Sequence, residues 1–92
     1  MAWVYVCDVS ELEDEDAIGF SVGDRSYAIC RTETGETYCI DGLCPEDGAH
    51  LAGGLVEGRF IECPMHEGRL DMAALPGYPV REERGRIEVD LA

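Results

Sequence analysis

Cys44-Pro45-Glu46-Asp47-Gly48-Ala49-His50-Leu51, followed further on by Cys63-Pro64-Met65-His66-Glu67-Gly68, is the stretch on which the reading of this 92-residue chain turns. Two cysteines, each followed by proline, stand in two glycine-containing loops. The second loop adds His66 at a Cys-x-x-His spacing. Thiolate and imidazole are good ligands for iron or zinc. A lone Cys-x-x-His is a common chance match, but two Cys-Pro loops in glycine-rich settings are a stronger signal. Glycine lets peptide N–H groups approach and hydrogen-bond the sulfurs of a cluster, which tunes its potential. The two loops therefore point to one metal site.

Outward from these loops, the sequence falls into short runs of β-forming residues. Strands are predicted for Trp3 to Cys7, Ile18 to Val22, Ser26 to Arg31, Glu36 to Ile40, Arg59 to Glu62 and Arg69 to Met72. Val80 to Glu82 and Arg86 to Asp90 form a last hairpin around Arg84-Gly85. Gly23-Asp24 and Thr34-Gly35 are turn signals. The stretch from Asp41 to Gly58 holds five of the eleven glycines and reads as one ordered loop. Cys63 to Gly68 and Ala73 to Pro79 read as two more. The five acids around Leu12, from Glu11 to Asp16, read as a solvated turn. No long stretch has helical periodicity, and there is no internal repeat or linker. The expected fold is a single all-β domain over residues 1–92, an antiparallel β-sandwich or barrel.

Composition narrows the function. Twenty acidic residues face seven basic ones, for a net charge of −13, and all seven are arginine. Such a surface repels phosphate, so nucleic acid and anionic membrane are poor partners, and a protein with a basic docking face is a good one. No apolar run approaches the roughly 20 residues that cross a bilayer. The N-terminus lacks the features of a signal peptide, so a cytoplasmic protein is expected. Five cysteines, an odd number, argue against a disulfide framework. Cys7, Cys30 and Cys39 lie in predicted strands and read as buried packing. Cys44 and Cys63 read as ligands. No nucleophile, zinc-protease or phosphate-loop motif is present, so the residues do not suggest a hydrolase.

The run from Cys44 to Leu51, with that from Leu55 to Arg69, resembles the Rieske ferredoxins, and more closely the small ferredoxin components of bacterial aromatic-ring dioxygenases. Their motif is Cys-x-His, a spacer, then Cys-x-x-His; here the spacer between Glu46 and Cys63 is sixteen residues, as in the family. Tyr5 to Leu12 and Tyr78 to Leu91 are also family-like, so the resemblance covers nearly the whole chain. It implies a Rieske-like β-fold with two cluster-binding loops. It implies a [2Fe-2S] cluster held by two cysteines on one iron and two histidines on the other. Carried over by position, Cys44 and Cys63 bind the inner iron and His66 the outer one. Gly48 and Gly68, with Asp41, Gly42 and Gly58, shape the loops. The resemblance also implies an electron carrier, not itself an enzyme. Such a carrier takes one electron from a flavin-dependent ferredoxin reductase and passes it to a terminal non-haem iron oxygenase.

Two departures stand out. Glu46 occupies the position of the family's first histidine. Three arrangements remain open: Glu46 ligates iron through oxygen, giving altered ligation; His50, four residues on, swings in; or no cluster forms. The last leaves a cluster-free or mononuclear-metal Rieske-fold module acting as an interaction or regulatory subunit. The connection from Asp71 to Pro79 is also short, leaving Pro76-Gly77 as a reduced cover over the site.

Overall fold

Tyr27-Ala28-Ile29-Cys30 is buried at every residue. Successive side chains of a strand point to opposite faces, so an unbroken buried run means a strand covered on both sides. This strand organises the molecule. The computed structural model describes residues 3–44, 48–64 and 68–91. Its strands, in chain order, are β1 (Trp3–Asp8), β2 (Asp16–Val22), β3 (Arg25–Arg31), β4 (Thr37–Asp41), β5 (Leu55–Glu57), β6 (Phe60–Glu62), β7 (Arg69–Asp71), β8 (Gly77–Tyr78), β9 (Val80–Glu83) and β10 (Arg86–Asp90). They form three antiparallel sheets, ordered β1-β10-β9, β2-β3-β4-β8 and β5-β6-β7. The expected all-β architecture is what the chain adopts.

The β2-β3-β4-β8 sheet is central. One face contributes Tyr27, Ile29 and Cys39 to a core shared with Cys7, Leu12, Ile87 and Val89. The other contributes Ala28, Cys30 and Ile40 to a core shared with Cys44, Leu51, Val56, Ile61, Cys63 and Met72. Cys7, Cys30 and Cys39 are packing residues inside strands, as their setting predicted. Leu12 is only 2% exposed amid its acidic neighbours. Burying a leucine is worth about 1.5–3 kcal/mol, enough to pin that solvated turn to the core. Arg31 crosses from β3 to β9, where its Nη2 donates to Glu82 Oε1.

The structure corrects three boundaries. The stretch expected to be one loop from Asp41 to Gly58 contains a 3-10 turn, Leu51–Gly53, and the strand β5. The loop expected from Ala73 to Pro79 contains β8. The acidic turn ends earlier than expected, because Asp16 pairs with Arg31 and opens β2. The two missed strands are three and two residues long and are set by their pairing partners rather than by local propensity. Among the described residues, no helix is long and apolar enough to cross a membrane.

Candidate metal centre

The central sheet and the β5-β6-β7 sheet each end in a loop that starts with a cysteine. After β4, Gly42 N–H donates to Ser26 C=O at 2.9 Å, and Gly42 C=O accepts from Leu51 N–H at 2.8 Å. Leu43 and His50 then form an antiparallel bridge. Cys44 N–H donates to Ala49 C=O at 2.7 Å, and Gly48 N–H returns to Cys44 C=O at 2.9 Å. Gly48 has φ +76°, a left-handed conformation that glycine adopts without a side-chain penalty. In the second loop, Glu62 pairs with Arg69 as β6 turns into β7, and Cys63 N–H donates to Gly68 C=O at 3.0 Å. Each loop is thus closed by its cysteine's N–H on the carbonyl five residues later. Cys44 and Cys63 hold matching places at the roots of two loops of equal length.

Both cysteines are sequestered, at 3% and 1% exposure, in one apolar cluster with Ala28, Cys30, Ile40, Leu51, Val56, Ile61 and Met72. All five cysteines are buried thiols. Burial pushes the Cys30 and Cys39 thiols up to about 12, which keeps them protonated and inert. Burial also raises Cys7.

Glu46 and His66 lie outside the described residues, as do Pro45 and Met65. His50 is exposed, and its backbone is engaged in the bridge to Leu43 and in accepting from Gly53 N–H at 3.2 Å. Pro76 is exposed and, with Asp41, Leu43, Leu51 and Leu75, lines a recess of about 130 Å³ beside the first loop. Among the described residues, no three His, Cys, Asp or Glu side chains converge. What the structure gathers there is the two cysteines.

Two features escaped the sequence reading. A Cβ on Gly54 would lie 1.8 Å from the Glu62 carbonyl oxygen, so only glycine lets the start of β5 press against the residue before Cys63. The Gly53-Gly54 pair was the only visible signal, and it did not say which glycine was required. Tyr78 Oη donates to Asp41 Oδ1 at 2.6 Å, tying β8 to the residue that precedes the first loop. Thirty-seven residues separate the two, and no local pattern announces the contact. On the second loop's sheet, Arg59 pairs with Asp71 at 3.1 Å and Arg69 with Glu57 at 2.9 Å, and both guanidinium groups lie over Phe60.

Two buried cysteines at the roots of matched loops, on a small β-domain, are the arrangement of a small metal-centre protein. The chain belongs to the Rieske [2Fe-2S] domain family, whose model matches residues 2–80. It is 33% identical over 101 aligned positions to the ferredoxin component of the naphthalene 1,2-dioxygenase system of Pseudomonas putida, covering 98% of this chain and 96% of that one. It also superposes on the Sphingomonas yanoikuyae B1 ferredoxin with a TM-score of 0.86, at 26% identity, over 99% of this chain and 100% of the other. A further match has a TM-score of 0.83 at 24% identity, covers 95% of this chain and 91% of the other, and shares the fold. It comes from a complex of reduced oxygenase and oxidized ferredoxin in carbazole 1,9a-dioxygenase.

The cofactor of the family is a Rieske [2Fe-2S] cluster. The donor chemistry of this chain suits it. Thiolate and imidazole, the groups that Cys44, Cys63 and His66 carry, are ligand types that iron accepts, and a carboxylate such as that of Glu46 is a hard oxygen donor of the kind ferric iron accepts.

Proposed function

We propose that this chain is the electron-carrying component of a multicomponent oxygenase system. It receives electrons one at a time from a flavin-dependent ferredoxin reductase and delivers them to a terminal non-haem iron oxygenase. The observation that carries this reading is the matched pair of buried cysteines, in a chain similar over nearly its whole length to dioxygenase ferredoxin components. The cluster, when bound, supplies a site that takes up and releases a single electron.

In this reading Cys44 and Cys63 hold the inner iron, and His66 and Glu46 the outer one. Gly48 and Gly68 close the loops, and the apolar cluster beneath excludes water from the thiolates. Glu46 brings a full negative charge where imidazole brings none. That charge favours ferric iron and lowers the potential from the usual Rieske range of roughly −150 to +300 mV. The net charge of −13 suits docking on basic partner faces in weak, fast encounters. Five buried thiols suit a reducing compartment, the cytoplasm.

The test is iron and acid-labile sulfide analysis of anaerobically purified protein, with its visible spectrum. The expected result is two irons and two sulfides per chain. Colourless protein without iron would overturn the carrier and leave a cluster-free interaction module. Iron or zinc without sulfide would leave a mononuclear site from Cys44, Glu46, Cys63 and His66. Replacing Glu46 with His is expected to raise the reduction potential, and an unchanged potential removes Glu46 from the ligand set.

A further inference from the structure

We infer that Tyr78 and Asp41 form a latch that fixes residues 73–79, the reduced cover expected from the sequence, against the root of the first cysteine loop. They are positioning residues for the site. The inference rests on the reading that the Cys44 loop holds the centre, which the iron and sulfide analysis tests separately.

Backbone ties hold the two ends of this segment, with Ala74 and Leu75 N–H donating to Asp71 C=O and Pro79 C=O accepting from Asp90 N–H, while its middle relies on the short strand β8. It is two residues long and meets β4 only at Cys39↔Tyr78 and Ile40↔Gly77. Side chains supply the rest. The phenol of Tyr78 donates to Asp41 Oδ1 at 2.6 Å, a short bond to a charged acceptor. The Tyr78 ring stands edge-on to Tyr27 of β3, with centroids 5.2 Å apart. Arg25 Nη2 lies 3.5 Å from Asp41 Oδ1 and 3.4 Å from Tyr78 Oη.

Each end of the latch leads to the site. Asp41 is the last residue of β4, and Gly42, Leu43 and Cys44 follow it directly. Tyr78 is two residues after Pro76. Leu75 and Pro76 face Leu43 and Leu51 across the recess that Asp41 also lines. Releasing the phenol therefore removes a tie that residues 73–79 and the loop root share, leaving each with its backbone bonds alone. The hydrogen bond to Asp41 also raises the Tyr78 phenol above its ordinary value, so it stays protonated, and a donor, across the neutral range.

The test is hydrogen exchange of the holoprotein, read amide by amide, with the rate of cluster bleaching in air alongside. Tyr78→Phe keeps the ring against Tyr27 and removes only the donor. It is expected to speed exchange at the amides of residues 42–44, 48–51, 73–75 and 77 about tenfold, the lower end for a hydrogen bond to a charged group, while β1 and β10 are unchanged. Bleaching is expected to accelerate by a similar factor. Asp41→Ala should reproduce both effects. Asp41→Asn, which retains an acceptor oxygen, should restore most of the protection. The Tyr78→Phe/Asp41→Ala pair should be no worse than either single variant. Arg25→Gln should change little, since the Arg25 side chain is 62% exposed and such ion pairs are weak. Unchanged local exchange in Tyr78→Phe, additive effects in the double variant, or the full effect from Arg25→Gln alone would each overturn the latch.

Discussion

Gly53 and Gly54 are adjacent, yet alanine at the two positions is expected to act in opposite directions. At Gly54 the added Cβ would lie 1.8 Å from the Glu62 carbonyl oxygen and 3.0 Å from its carbon. To reach ordinary contact near 3.4 Å, the start of β5 and the end of β6 must part by about 1.6 Å. That displacement breaks the Leu55↔Glu62 pairing, whose hydrogen bonds contribute about 1 kcal/mol each. Overpacking strain adds about 1–3 kcal/mol. The sum is about 3 kcal/mol, a large part of the roughly 5–10 kcal/mol that holds a small domain together. At Gly53 the Cβ would stand 3.8 Å from Pro64 Cγ, an ordinary contact. Alanine there restricts the unfolded chain and stabilises by about 0.4–1 kcal/mol. Urea titrations of the two variants, followed by circular dichroism under anaerobic conditions, give the comparison. Iron per chain, measured in parallel, shows whether the displaced root of the second loop still retains metal; Gly54→Ala should lose it and Gly53→Ala should not. A Gly54→Ala protein within about 0.5 kcal/mol of the parent, or a Gly53→Ala protein as damaged as its neighbour, would refute the close-approach argument.

Two further outcomes follow from the charges. Cys30 and Cys39 titrate near 12 in the folded chain, against 9.0 for an ordinary thiol, so the unfolded chain releases those protons first. Stability is then insensitive to these groups below about pH 9 and falls between pH 9 and 12, by up to about 1.4 kcal/mol per pH unit for each thiol. Cys39→Ala should show a shallower fall, and equal slopes would refute the assignment. If docking is acid-steered, electron transfer to a basic oxygenase slows as salt rises, and rates flat with ionic strength would exclude it.

How much of this was legible in the sequence depended on the range of the interaction. β3 could be read from Ser26 to Arg31 because burial on both faces left a continuous apolar run, and Cys30 and Cys39 could be assigned to packing from their strands alone. The two cysteine loops were visible because proline, glycine and ligand spacing are local. β5 and β8 were not, because three and two residues carry no periodicity and owe their strand character to Glu62 and Cys39 across the ladder. The need for glycine at 54 comes from a carbonyl eight residues on, brought close only when β6 folds back. The Tyr78–Asp41 bond belongs to the same class, since neither residue's neighbours point to the other.

The topology also decides which acids can act on a partner at the metal centre. β3 runs from Arg25, where Asp24, Asp41 and Cys44 share a surface recess, to Arg31, which pairs with Asp16 and Thr37. The acidic turn at Glu11 to Asp16 and the β3–β4 turn with Glu33 and Glu36 therefore lie at the end of the central sheet away from Cys44. Seven strand residues span about 20 Å, twice the screening length of roughly 8–10 Å at physiological salt. The remote acids contribute to net charge but are largely screened from a partner seated on the loops. Asp24, Asp41, Glu57 and Glu62 are in range, and by sequence so are Glu46, Asp47 and Glu67. Five of the arginines, at positions 25, 31, 59, 69 and 81, are already held by carboxylates within the chain. Arg25 and Arg69 thereby offset Asp41 and Glu57, so among the described residues the field at the loop end comes chiefly from Asp24 and Glu62. If docking is acid-steered, its salt dependence comes from the loop end, and neutralising Glu13 and Glu15 should leave the slope of electron transfer intact while neutralising Asp24 and Glu62 should flatten it.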